Sequence, residues 1–494
     1  MLSWLWPNRS AGMSGARRRC WRMSAKPRVY LLSPKTYSQE VIAVTFAKTS
    51  RSPLPFDAIA AELNEPESAR FHEKWVIGYG HASVAEHAVL HLAVEGLSRL
   101  ATEALQSTRL ASYTEKSSRY QPFGPEDFVM PPELDKRPEG RRLYRETVQA
   151  LFAAYRRCLA TAHDWVAQRV PRREGESERA WESRLRSRYA DACRFLLPAA
   201  AQTNVGMTVN ARALAHLLRK MLSHPLTEVR QLGRRMQEVA LAEVPTLVRY
   251  VEPVGYWQRA AARLTAAARA LPRSSPDEWC RLVHYEPDGE ARVLASTLVR
   301  FGEADYPTSL AYVKGLPAGK RLALVEALLE GMGPHDVPLR ELEHTGYTFD
   351  LVMDQGAYYE FKRHRMMSQT PQRLSTRLGY AVPRLLVEVG LAEEYRQVME
   401  QAAQTYERLA AWNTEVAAYV VPNGFRRRVL ATFNLREAYH FLALRSASNA
   451  HFSIRRVALR IAEEIRRAHP ALSVYVRLPE ADWRAVEEEH FARP

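Results

Sequence analysis

Two stretches 256 residues apart carry the same order of polar signals: 107-STRLASYTEKSSRY-120 and 363-RHRMMSQTPQRLSTR-377, with Arg109 and Arg365 at equivalent points. A Glu-His pair precedes each one (Glu86-His87; Glu343-His344). An Asn-x-Arg opening a helical pattern follows each one (Asn210 and Arg212; Asn434 and Arg436). Self-similarity on this scale means a duplicated domain, not a short-period solenoid. At 494 residues the chain has room for two such domains, each with its own core. Clustered Arg, His and Ser side chains in such a unit suit an anionic small molecule, most naturally a nucleotide.

The first copy is expected over residues 26–271, a Pro- and Ser-rich linker over 272–278, the second copy over 279–470 and a tail over 471–494. Residues 1–25 read as an extension. Trp4, Trp6 and Arg17 to Arg19 stand before the first acid, Glu40, a pattern that fits either a targeting peptide or a start placed too early. A strand-like 28-RVYLL-32 follows directly. From the signature Arg to the Asn-x-Arg the first copy runs 101 residues (109 to 210) and the second 69 (365 to 434). The excess falls near 168-QRVPRREGESERAWESRLRSR-188, whose charge predicts an exposed helical insertion.

Residues 87–96 partly alternate and predict a strand, followed by a helix through Leu97, Leu100, Ala104 and Leu105. Segments 211–222 and 435–447 show helical spacing, the first with Leu214, Leu217, Leu218 and Leu222 on one stripe and Arg212, His216 and Lys220 on the other. His216 and His440 are also readable as core histidines. Long helices with few strands predict an α+β unit, twice.

The net charge of +15 favours anionic partners. The basic residues are spread over both copies, which argues against a nucleic-acid face. No run of 18 apolar residues exists, so no membrane-spanning helix is expected. Cys20, Cys158, Cys193 and Cys280 form no CxxC pair, which predicts neither a disulfide framework nor a metal site and fits a reducing cytoplasm. Ser117 and Ser375 lack a His–Asp partnership in sequence, so acyl transfer is not expected.

Residues 80-GHASVAEH-87, 107–120 and 208-TVNARALAHLLRKMLSH-224 in the first copy, with Glu343-His344, 363-RHRMMS-368, 375-STR-377 and 432-TFNLREAYHFLALR-445 in the second, resemble the flavin-dependent thymidylate synthase family. The resemblance covers about residues 28–470, twice. It implies an α/β homotetramer with active sites built between subunits, here a homodimer of tandem chains forming a pseudo-tetramer. It also implies conversion of dUMP to dTMP with methylenetetrahydrofolate, FAD and NADPH, without a cysteine nucleophile. Carried over by motif, Ser50, Ser83, Glu86, Arg109, Asn210, Arg212 and His224 would face FAD in the first copy. Glu343, Arg363, His364, Arg365, Asn434 and Arg436 would do so in the second. Glu115, Ser117, Arg119 and Arg194, with Ser375 and Arg377, would face dUMP. Arg445 takes the place of the cation that activates the uracil, and Lys220 stands at that place in the first copy.

The departures fall differently in the two copies. Ser107-Thr108 replaces the leading Arg-His of the first signature. The second keeps Arg-His-Arg, but nine residues rather than seven separate Arg365 from Ser375, and its acid is replaced in the Pro371-Gln372 region. Pro338 stands where the box histidine is expected, and Ala418 where the first copy keeps Arg194. Lys for Arg at a planar, bidentate contact is not conservative. Two expectations follow: mixed sites joining the Glu115-Ser117-Arg119 loop of one unit to Arg445 of the other, or a non-catalytic flavin- or nucleotide-binding paralogue.

Overall fold

The computed structural model describes residues 28, 30–50, 52–272, 278–333 and 335–492. The extension and most of the linker fall outside the described residues. The chain forms two compact units that do not follow the repeat boundaries. The smaller holds the described residues up to Leu90 with Val209–Ala215 and Gln237–Val251; the larger holds His91–Thr208, His216–Met236 and the chain from Glu252 onward.

In the smaller unit, helix Gln39–Lys48 is capped by the Ser38 hydroxyl, which accepts from the Val41 amide at 3.2 Å. Buried Glu40 accepts from the amides of Thr246 and Leu247 at 2.8 and 3.2 Å. Those bonds explain an acid in the core: a buried carboxylate is tolerated where donors meet it. Of the expected strand 28–32, the described residues 28 and 30–32 are not in a strand. Arg28 and Tyr30 instead reach Asp57 through their side chains, at 2.8 and 3.3 Å.

The repeat is visible element by element. Strand β1 (Val89–Ser98) leads into helix α1 (Arg99–Leu105), and β2 (Ala111–Glu115) follows. After the long helix α2 (Pro138–Ala167) and α3 (Glu178–Cys193) come β3 (Gln202–Asn210) and α4 (Ala211–Leu222). The second copy adds a strand, β4 (Cys280–Tyr285), then gives β5 (Gly346–Asp354), α5 (Gln355–Phe361), β6 (Ser368–Pro371), α6 (Ala392–Ala410), β7 (Arg426–Asn434) and α7 (Leu435–Arg445). The two small antiparallel sheets run β1-β3-β2 and β4-β5-β7-β6. The fold is α+β, twice.

Local chemistry sets the boundaries alike in both copies. Ser98 caps α1 through the Ala101 amide and Asp354 caps α5 through that of Ala357. Asn210 and Asn434 accept from the amides of Ala213 and Glu437 at 2.8 and 2.9 Å, so each caps the helix after its strand. Side chains alternate between buried and exposed along β3 and β7, as strands with one covered face require. In the second copy Phe349 and Phe433 stack at 5.6 Å under Ile454, Val457 and Ile461. Each such buried ring or branched chain contributes about 1.5–3 kcal/mol.

Within the larger unit the copies meet about a pseudo-two-fold axis. The Ala199 amide donates to Val421 O (2.9 Å) and the Asn423 amide to Leu197 O (3.0 Å), the same bond in both directions. Ala200 to Tyr419 O (2.8 Å) and Gly424 to Phe195 O (2.9 Å) form a second such pair. Pro198 bridges Pro422, and the Thr147 and Thr405 hydroxyls meet at 2.7 Å between α2 and α6. This is the isologous geometry of a homodimer, inside one chain. Gly424 is required there, because a Cβ would collide with the Tyr395 hydroxyl.

The insertion is the exposed loop after Ala167 together with α3, where the second copy has only the short helix Thr414–Ala417. Here the cysteine expectation is corrected. Cys158 of α2 and Cys193 of α3 form a disulfide with their Cα atoms 5.7 Å apart, because packing of the two helices closes a gap of 35 residues. Cys280 is free and buried. Among the described residues no helix is long and apolar enough to cross a membrane, and no cluster of potential metal ligands exists.

Candidate functional site

At the copy interface of the larger unit a narrow, cationic pocket opens. The first copy lines it with Arg99, Lys116, Ser117, Ser118 and Arg194; the second with Tyr359, Glu360, Arg363, Asn423 and His451. Arg99 enters from the first turn of α1. It is only 5% exposed, lies 4.4 Å over the Tyr359 ring and pairs with Glu115 at 3.3 Å. Its Nε and Nη1 have no hydrogen-bond partner. Arg194 opens the 3-10 turn that follows α3, pairs with Asp191 at 2.7 Å and donates to Ser118 Oγ at 3.2 Å, while its Nε is also unpartnered.

Unmet guanidinium donors in a buried place are costly unless something accepts from them. Burial pulls the pKa of Arg194 below the ordinary guanidinium value, despite Asp191 beside it. Burial also works against the Glu115 carboxylate, but Arg99 and Lys362 outweigh it and hold the pKa below the usual range. Four cations, Arg99, Lys116, Arg194 and Arg363, face one carboxylate, Glu360, around a free volume of about 50 Å³.

The other residues expected against the nucleotide lie around this pocket or away from it. Arg119 forks onto Asp191 at 3.0 and 2.6 Å and reaches Asn449 O, fixing the loop that carries Ser117 and Ser118. Arg445 stands behind the wall: its Nη1 donates to Glu360 at 2.9 Å and its Nε to His364 Nε2 at 3.0 Å. Buried His364 bonds Glu437 at 3.2 Å with its other nitrogen, and burial lowers its pKa. Arg377 pairs with Glu407 at the surface, and partly buried Ser375 is not among the lining residues.

Among the residues expected against FAD, two ion pairs repeat. Arg212 pairs with Glu86 at 2.5 Å and Arg436 with Glu343 at 2.9 Å, and Arg436 also donates to Pro338 O at 3.0 Å. Arg109 and Arg365 cross the pseudo-axis reciprocally. Arg109 donates to Met367 O (3.4 Å) and Ser368 Oγ (3.0 Å), Arg365 donates to Ala111 O, and Arg365 lies 5.2 Å over Tyr113. Burial, then Arg109, lowers the pKa of Lys220. Burial and Arg230 hold His224 at about 4. Ser50 and Ser83 are exposed in the smaller unit. His216 and His440 are exposed, not core histidines; hydrophobic neighbours in sequence fill the opposite stripe.

Arg99, Glu360, Asn423 and His451 were not singled out from sequence. Arg99 had a signal: a charged side chain in the first turn of a helix whose only other charged residue is Glu103. Asn423 had none, since its place follows from the pseudo-axis.

The Thymidylate synthase complementing protein family matches this chain twice, over residues 31–246 and 281–471. A UPF0159 protein of Chlamydia muridarum is 29% identical over 445 residues, which cover 84% of this chain and 82% of that protein. A UPF0159 protein of Thermoplasma acidophilum is 26% identical over 458 residues, covering 84% and 90%. A flavin-dependent thymidylate synthase of Clostridium tetani is 28% identical over 220 residues, 44% of this chain and 84% of its own length. One relative thus resembles a single copy and the others the tandem.

Proposed function

Because this chain belongs, in both of its copies, to the flavin-dependent thymidylate synthase family, we propose that it methylates dUMP to dTMP with FAD, NADPH and methylenetetrahydrofolate, holding the nucleotide phosphate in the pocket between the copies. The observation that carries this reading is the pair of buried guanidinium groups, Arg99 and Arg194, which line one cavity and each keep N–H groups without a hydrogen-bond partner. A phosphate accepts from such donors with strong, charge-assisted bonds. The Ser117 and Ser118 hydroxyls sit beside them as further donors.

The flavin pyrophosphate would lie near Arg109 and Lys220 of the larger unit. Arg109 and Lys220 are neighbouring cations whose mutual repulsion an anion relieves. Arg436 is held through Nη1 by Glu343 and through Nε by Pro338 O. Bound flavin supplies the hydride chemistry; the chain binds, orients and excludes water. Glu343, Arg365 and the Asn434 cap belong to the corresponding motifs of the second copy, whereas Arg363, expected against FAD, lines the pocket proposed for the nucleotide.

A second reading rests on Arg445. Its guanidinium already serves Glu360 and His364, so it supports the pocket wall instead of touching a ligand. In that reading the protein binds flavin and nucleotide without turnover.

The test is to load the purified protein with FAD, record its visible spectrum and titrate dUMP, then follow dTMP by mass spectrometry with both co-substrates present. A shifted flavin spectrum with dTMP formed supports the first reading, and a shift without product supports the second. A protein that takes up neither FAD nor dUMP removes both.

A further inference from the structure

The pseudo-axis generates a counterpart of the pocket from the equivalent residues of the other copy. Strand β3 (Gln202–Asn210) and β7 (Arg426–Asn434) align residue for residue, as do α1 and α5. Arg99 therefore corresponds to Gln355, Tyr359 to Glu103, Lys116 to Gln372, and Arg194 to Ala418. The first copy has Thr203 where the second has Arg427. That substitution changes what the counterpart contains.

Arg427 is only 7% exposed, and its Nη1 and Nε are hydrogen-bonded inside the protein. Nη1 donates to both Glu103 oxygens at 3.0 and 2.8 Å and to Gln355 Oε1 at 3.3 Å, and Nε donates to Gln372 O at 2.5 Å. Gln355 in turn donates to Glu103 at 2.6 Å, and the Tyr358 ring lies 4.7 Å from the guanidinium carbon. Three of these partners, Glu103, Gln355 and Gln372, are the positions that line the open pocket in the other copy. In the open pocket the arginine equivalent to Gln355 has donors to spare; in the counterpart the donors and acceptors of Arg427, Glu103 and Gln355 satisfy one another.

We infer that each chain offers one nucleotide pocket, the open one around Arg99 and Arg194, and that its pseudo-symmetric counterpart is permanently occupied by the Arg427 side chain. This rests on the nucleotide reading given above and fixes the stoichiometry of that reading. A charge exchange accompanies it: the counterpart lacks both Arg99 and Arg194 and gains an internal carboxylate, Glu103, that repels a phosphate. The fourfold set of equal sites expected of a symmetric tetramer becomes one site per tandem chain.

The test counts ligand on the full-length, FAD-loaded protein by equilibrium dialysis with radiolabelled dUMP at saturation. One dUMP per chain is expected. Two per chain overturns the inference while leaving the nucleotide reading intact; none removes that reading and the inference with it. Arg99→Ala then identifies which pocket is filled. With the fold verified by circular dichroism, its count at the same concentration falls to near zero. Retention of a full equivalent in that variant means that the counterpart binds, and overturns the inference.

Discussion

The backbone at the pseudo-axis and the pockets beside it have kept symmetry to very different degrees. Carbonyls and amides pair reciprocally from Phe195 to Ala200 against Tyr419 to Gly424, and the helix caps repeat as Ser98 with Asp354 and as Asn210 with Asn434. A few residues away, one pocket presents unmet guanidinium donors and its counterpart is a closed ionic knot. The difference teaches which constraints a duplicated fold cannot shed. An unpaired buried amide costs as much in either copy, whereas a side chain that held a ligand can be replaced once something else satisfies its neighbours.

The strongest way to break this contrast is Arg427→Ala. Removing one partner of a buried ion pair strands Glu103 and should lower stability by roughly 3–5 kcal/mol, measured by urea unfolding. A loss under about 1 kcal/mol means that the ionic knot holds nothing together. Next in size is the cross-link found only in the first copy. Cys158→Ser closes no loop of 35 residues and should cost about 3–4 kcal/mol on the chain-entropy estimate, with wild type plus reductant matching it. A melting temperature indifferent to reductant would argue that the cross-link adds nothing.

Arg194→Ala sharpens the contrast on the ligand side. The variant removes charge-assisted donors of about 1.5–3 kcal/mol and should weaken dUMP binding roughly 10- to 100-fold, whereas the fold is kept because Arg119 still holds Asp191. Unchanged affinity would move the phosphate elsewhere. The smallest effect concerns His224. Its folded pKa of about 4 lies below the ordinary 6.5, so the unfolded chain binds the extra proton first. Its penalty is complete below pH 4, and stability rises as pH increases from about 4 to 6.5. His224→Gln should flatten that stretch of the stability–pH curve; a curve unchanged by the substitution contradicts the assignment.

The duplication, the α+β class and the helix Ala211–Leu222 were legible in the sequence, because a repeat and a 3.6-residue apolar spacing are local signals. The helix expected over 435–447 stops at Arg445. What the sequence withheld was made by contact across distance. Cys158 and Cys193 meet through helix packing that no spacing announces. Arg28 and Tyr30, expected in a strand, instead reach Asp57 through their side chains. Arg99, an ordinary helix residue in the sequence, becomes a pocket donor only when Tyr359 from the other copy covers it. Asn210 and Asn434, expected against flavin, have a helix cap to make whatever else they do.

Thr147 touches Thr405 near the pseudo-axis, and Thr203 has Arg427 as its equivalent. In an assembly of identical subunits every mutation arrives in duplicate and, near a dyad, meets its own image; an arginine at the 203 position would have appeared in all pockets together and shut them all. Joining two copies in one reading frame removes that coupling. Each half inherits separately, so one pocket can close around an internal cation and stiffen the junction while the other stays free to be selected for its ligand.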